Sequence, residues 1–181
     1  MNRSLLAIFA ASAIGLFLAG CSTTPATHDD RQQLHDDVSG ALRRLYLEDP
    51  GLQNFLDSSY GYAVFPTVGK GALIAGGAYG HGEVFQQGAF VGYTDISQAT
   101  IGAQIGGQSF TEVVAFESPG ALQRFESGQF AFDANASAVA LKSGAAASAK
   151  YTNGVAIFVE PVGGLMVEAA VGGQSFSYQP K

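Results

Sequence analysis

Three histidines, one cysteine and four lysines are the residues of this chain on which chemistry could rest. His28, His35 and His81 show no metal-ligand spacing. His81 stands two residues before Glu83 in Tyr79-Gly80-His81-Gly82-Glu83, a pair able to hold a cation weakly; the plainer reading is an exposed imidazole in a glycine turn. No metal site and no cofactor is expected. There is no Gly-x-Ser-x-Gly elbow, and the carboxylates are scattered without the pairing that glycoside hydrolysis needs. Gly69-Lys70-Gly71 is not a phosphate loop: Val64 stands where the first glycine must be, and the segment continues into Ala72 with no Ser or Thr. No catalytic residue is nominated, and a non-enzymatic protein is expected.

Cys21 is different, because its surroundings prescribe a covalent fate. It ends the run Leu18-Ala19-Gly20-Cys21, preceded by Arg3 and by a continuously apolar or small segment from Leu5 to Leu18. That is a cleavable signal over residues 1–20 with a lipobox cysteine, since the run is shorter than the roughly 18 to 20 residues of a membrane span and stops at Ser22-Thr23-Thr24-Pro25. Lipidation there adds a diacylglyceryl group and an N-acyl chain of the palmitate type, and each buried methylene contributes about 0.8 kcal/mol to anchoring. Ser22 after the cysteine favours sorting to the outer membrane, with the domain facing the periplasm. Residues 21–28 then form the lipidated cysteine and a polar linker of at most about 25 Å, and residues 29–181 a single domain.

Lys70, Lys142 and Lys150 each stand beside glycine or small residues, where a lipid headgroup could come close. Two readings stand: one headgroup-binding patch, or isolated solubilising residues on unrelated loops. Nothing in the sequence makes the three converge.

The elements that must carry these residues can be read from periodicity. Leu34, Val38, Ala41, Leu42 and Leu45 form an apolar stripe at helical spacing from about Asp29 to Glu48, with Arg43 opposite it and Arg44 on its flank. Asp29, Asp30, Asp36 and Asp37 make the polar face too acidic for a membrane-surface helix, so core packing is expected. Asp49-Pro50 opens a second helix through Leu52, Phe55 and Leu56. From Tyr60 onward glycine-punctuated strands follow, at 60–68, 72–79, 83–85, 89–93, 99–105, 110–116, 155–159, 165–171 and 176–178. Ser118-Pro119 starts an inserted helix bearing Leu122 and Phe125, stopped at Gly128. Residues 130–150 allow either state, and 161–164 read as a turn. Ile105-Gly106-Gly107-Gln108-Ser109-Phe110 recurs as Val171-Gly172-Gly173-Gln174-Ser175-Phe176, a hairpin or bulge device before a core phenylalanine rather than a solenoid repeat. The fold class expected is α+β: a mostly antiparallel bent sheet or partial barrel packed with N-terminal helices and one inserted helix.

Charge restricts the partners. The chain has 9 Lys and Arg against 15 Asp and Glu, a net −6 that becomes −7 once cleavage removes Arg3. Nucleic acid, which demands a basic face, is not expected as a partner. Once Cys21 is acylated no thiol remains for a disulfide or a nucleophile, so packing must hold the fold.

Tyr60-Gly61-Tyr62-Ala63-Val64-Phe65-Pro66, Gly69-Lys70-Gly71, Gly76-Gly77-Ala78-Tyr79-Gly80, Gly106-Gly107-Gln108, Val113-Val114-Ala115-Phe116, Phe125-Glu126-Ser127-Gly128-Gln129-Phe130 and Gly164-Leu165 together resemble the SYLF domain family, over nearly all of the chain after the signal. The resemblance implies a lipid-binding, non-enzymatic module. Family members bind phosphoinositides or other anionic phospholipids, and some eukaryotic ones bind actin. This acidic chain, whose first helix lacks a basic polar face, is not expected to bind actin. A bacterial envelope points instead to phospholipids such as phosphatidylglycerol or cardiolipin. The expected function is a membrane-anchored lipoprotein whose domain binds phospholipid in envelope organisation or homeostasis. The alternative is a structural or protein-interaction lipoprotein with unknown protein partners. An integral β-barrel fits less well, because 113–116 shows no alternation.

Overall fold

The computed structural model describes residues 25, 27–69, 77–99, 109–129, 138–162 and 173–181. Helix α1 (His28–Glu48) begins in a capping box, with Thr27 Oγ1 accepting from the Asp30 amide at 3.1 Å and the Asp30 carboxylate accepting from the Thr27 amide at 3.3 Å. It buries Leu34, Val38, Ala41 and Leu45, so the stripe packs on the domain as its acidic face implied. Helix α2 (Pro50–Ser58) follows at once, N-capped by Asp49, with Leu52 and Leu56 buried. Helix α3 (Pro119–Glu126) starts at its Ser118 cap, buries Ala121, Leu122 and Phe125, and is followed by Gly128 at φ +66°. No helix among the described residues is long and apolar enough to cross a membrane.

The strands are β1 (Gly61–Gly69), β2 (Gly77–Gln86), β3 (Ala89–Ala99), β4 (Ser109–Phe116), β5 (Val139–Ala140), β6 (Val155–Val162) and β7 (Gln174–Pro180), in the order β5-β6-β4-β1-β2-β3-β7. Among the described strands only the short β5–β6 pairing is parallel. The sheet is open between β5 and β7, yet it rolls strongly. In sheet order β4 and β7 lie four strand spacings apart, about 19 Å if flat, but Gln174 Nε2 donates to Glu112 Oε2 at 2.9 Å. Phe65 of β1 and Phe176 of β7 likewise bring their ring centroids to 5.8 Å. These contacts define a partial barrel.

One source of the roll is legible in β1. Pro66 has no amide proton for a ladder in a central strand, and the pairing with β4 shifts register between Phe65 and Val68, across it. Glycine supplies the other. Gly80 and Gly82, expected to form a turn around His81, run through the middle of β2, because a Cβ at Gly82 would lie 2.5 Å from the Val64 carbonyl oxygen and 2.7 Å from the Phe65 ring. Close passage of β2 over β1 requires the bare backbone there. Residues 161–162 likewise extend β6 instead of turning.

Two apolar layers cover the sheet. Phe65, Ile96, Phe110, Val114, Phe116 and Phe176 pack with Leu122 and Phe125 of α3 inside the roll. Val64, Val113, Ala115 and Phe158 pack under α1 and α2 on the other face. β4 is buried on both faces, which explains why 113–116 does not alternate. Of the ambiguous segment, residues 138–150 contain β5 and the one-turn helix α4 (Ala145–Ser148), while 130–137 lie outside the described residues. The expected strands at 99–105 and 165–171, most of 72–79 and most of the paired glycine motif also lie outside them. Its described ends agree with the hairpin reading: Gly173 has φ +75°, and Phe110 and Phe176 are buried.

Candidate functional site

Cys21, the signal and Lys70 lie outside the described residues. Lys142 and Lys150 are exposed and bracket α4, and the Lys142 carbonyl accepts the Ala145 amide at 2.9 Å. Gly144 at φ +80° starts this helix without a side-chain cap of its own. The missing acceptor comes from another element. Asp49, 1% exposed, takes the Gly51 amide on Oδ1 at 2.9 Å and the Ala146 amide on Oδ2 at 2.7 Å, pinning α4 to the α1–α2 junction.

That junction carries an exposed apolar side chain. Leu47, at 85% exposure, projects from the last turn of α1 two residues before Asp49. Arg43 stands four residues before Leu47, hence on the same helix face, and is exposed. Arg44 is committed to the sheet, with its guanidinium 3.3 Å from Thr111 Oγ1 and 3.9 Å from Glu160. Leu47 and Arg43 thus share an exposed face of α1, while Lys142 and Lys150 flank the turn that is tied to the buried Asp49. Sequence reading could not join α4 to the α1–α2 junction, since the tie that does so joins Asp49 to Ala146 across 97 positions.

The histidines occupy a separate polar face. His35 Nδ1 lies 3.1 Å from Glu83 Oε2, and Glu83 is 1% exposed; burial raises its carboxyl pKa, against the opposing pull of the His35 hydrogen bond and charge. His81, half-exposed, lies with Nδ1 2.7 Å from Asp95 Oδ1, and Ser177 Oγ donates to Asp95 Oδ2 at 3.1 Å. The order is serine, aspartate, histidine. A nucleophilic serine must give its proton to the imidazole, so this chain joins β2, β3 and β7 without activating Ser177. His81 and Glu83, paired in the weak cation reading, each hold a different partner. Among the described residues no three His, Cys, Asp or Glu side chains gather as metal ligands.

These residues make an α+β domain whose open, rolled sheet bears helices on both faces and whose lysine-bearing turn is tied to its helical layer. No family model matches the chain. It is 31% identical over 137 residues to Beta cell expansion factor A of Aeromonas veronii, an alignment covering 75% of this chain and 52% of that protein. The chain thus spans about half the length of that relative.

Proposed function

We propose that this chain is a bacterial envelope lipoprotein of the SYLF type, anchored through Cys21 in the outer membrane, whose non-enzymatic periplasmic domain contacts phospholipid. The observation that carries the reading is the exposure of Leu47 at 85% on the helix face that also bears exposed Arg43. A lone exposed leucine is ordinary on a protein surface; with a cation on the same face it can enter the headgroup region while the cation meets phosphate. Each Lys or Arg near an anionic surface contributes about 1 kcal/mol, so a local set can outweigh a net negative chain. The likeness to Beta cell expansion factor A supports relatedness and leaves the ligand to be found by experiment.

The chain from Ser22 onward is expected to float with liposomes containing phosphatidylglycerol or cardiolipin and to be released by salt. Charge reversal at Lys70, Lys142 and Lys150, or Leu47→Ser, should each weaken flotation severalfold. Absence of flotation on every composition would sink bilayer contact and favour a protein partner. The anchor has its own readout: the full chain expressed in a Gram-negative host should incorporate labelled palmitate, and Cys21→Ser should not; equal labelling would exclude the lipobox reading.

A further inference from the structure

The described residues leave an open cleft of about 480 Å³ where the C-terminal end of α2 meets the start of β1, the β2–β3 turn and the β4–α3 junction. Its chemistry is the reverse of the lysine-bearing turn. Asp57 and Glu117, 60 positions apart, both line it; both are exposed, and neither forms an ion pair among the described residues. No Lys, Arg or His lines it. Helix α2 ends there with no basic residue in its last turn, so the negative end of its dipole adds to the two carboxylates.

The cleft is more than an acidic edge, because two tyrosine rings line it beside the carboxylates. Tyr62, half-buried, stacks on Phe85 at 5.1 Å between centroids, and the Tyr60 hydroxyl accepts from Gln86 Nε2 at 2.7 Å. The serine and Tyr60 hydroxyls of the cleft are already engaged. Ser58 Oγ and Ser59 Oγ both donate to the Phe55 carbonyl at 2.8 Å, and Ser59 Oγ also meets Tyr151 Oη at 2.7 Å. Burial, then the charge of Asp57, raises the Tyr62 pKa, so that carboxylate is felt at the aromatic wall. The cleft offers two carboxylates beside two tyrosine rings, with no cationic side chain in its lining.

We infer that this cleft binds a primary organic ammonium group, with Asp57 and Glu117 accepting its N–H donors and Tyr60 and Tyr62 covering its carbon stem. A primary ammonium fits better than a quaternary one because only the former can donate hydrogen bonds to both carboxylates. The same group is offered by a free small amine or by an ethanolamine headgroup on a bilayer. The inference does not rest on the anionic-lipid reading above, and it concerns a different surface.

The test uses the full-length chain in a neutral detergent, titrated with ethanolamine and followed by ligand-observed NMR. Saturable binding is expected, weakened about tenfold in the Asp57→Asn/Glu117→Gln double variant, as two exposed charge contacts would require. Both sites are exposed, so the variant should retain the wild-type melting curve. Lack of saturable binding, equal binding by the double variant, or choline binding as tightly as ethanolamine would each overturn the assignment. Vesicles of neutral phosphatidylcholine with and without phosphatidylethanolamine then separate the sources: ethanolamine-sensitive capture by the phosphatidylethanolamine-containing vesicles alone assigns a lipid headgroup, and capture by neither assigns a soluble amine. A flotation failure on anionic lipid leaves this result untouched.

Discussion

Between pH 5 and pH 9 the fold is expected to lose stability, and Glu112→Gln is expected to remove most of that loss. Glu112 is fully buried inside the roll, where its Oε2 accepts from Gln174 Nε2 at 2.9 Å and its Oε1 has no partner among the described residues. Burial pushes the carboxyl up from 4.5 to about 8, and the Gln174 hydrogen bond offsets only part of this. The native state therefore keeps a proton that the unfolded chain releases near pH 4.5. Stability from this group is fully present below the unfolded value, declines as pH rises from about 4.5 toward 8, and is flat above. At about 1.4 kcal/mol per unit the decline amounts to a few kcal/mol, a large part of what holds a domain together. Glutamine keeps an acceptor for Gln174 Nε2, cannot ionise, and brings an N–H donor toward Gln174 Oε1, which is also buried without a partner among the described residues. Urea midpoints at pH 5, 7 and 9 should fall for the wild type and stay nearly level for the variant. Glu83, raised in the same direction, contributes with the same sign, so a Glu83→Gln control apportions the slope. A wild-type midpoint unchanged between pH 5 and 9 would show that Glu112 is not desolvated as described.

The reason Glu112 escaped sequence reading is the same one that hid the roll. Glu112 shares the inward face of Phe110, Val114 and Phe116 on a strand without polar alternation, and only the contact with Gln174 of β7 shows what holds a carboxyl there. Elements fixed by neighbours in sequence were legible: Asp49-Pro50, Ser118-Pro119 and the stripe of α1 state their own starts, caps and buried faces. Features fixed by distant neighbours were not. Gly80 and Gly82 read as a break because glycine usually punctuates, whereas here Val64 and Phe65 of β1 demand its absence of side chain. The Ala- and Ser-rich stretch before Lys150 could not declare α4, whose N-terminal amide is held by a carboxylate almost a hundred positions earlier. The candidate site shares this limit. Lys142 and Lys150 were visible as cations, but their turn is fixed to the α1–α2 junction only through Asp49, and Tyr62 met Asp57 and Glu117 only across the α2–β1 turn and the sheet.

Asp49→Ala should destabilise the domain by roughly 3 kcal/mol and loosen the lysine-bearing turn beyond that global loss. The residue serves three helices at once: its amide donates to the Leu45 carbonyl at the end of α1, Oδ1 caps α2 through Gly51, and Oδ2 holds the Ala146 amide of α4. Loss of an N-cap costs about 1 kcal/mol, and a buried amide left without an acceptor costs about 1–3 kcal/mol more. For a domain of this size that is a fall of about 6–12 °C in Tm. Asparagine gives a sharper diagnosis than alanine. It keeps one oxygen for one amide and turns an NH2 group toward the other, so it should relieve the Gly51 or the Ala146 contact but never both. A melting temperature between wild type and alanine is therefore expected for Asp49→Asn, whereas a cap that mattered only through α2 would let asparagine match the wild type. The functional consequence follows from where α4 sits. With the Ala146 amide released, hydrogen exchange there should quicken by more than the global loss predicts, and Lys142 and Lys150 should no longer be held at the α1–α2 junction. Flotation on anionic liposomes at a temperature where Asp49→Ala remains folded should then weaken; flotation equal to wild type would show that the lysines act without being positioned by this carboxylate.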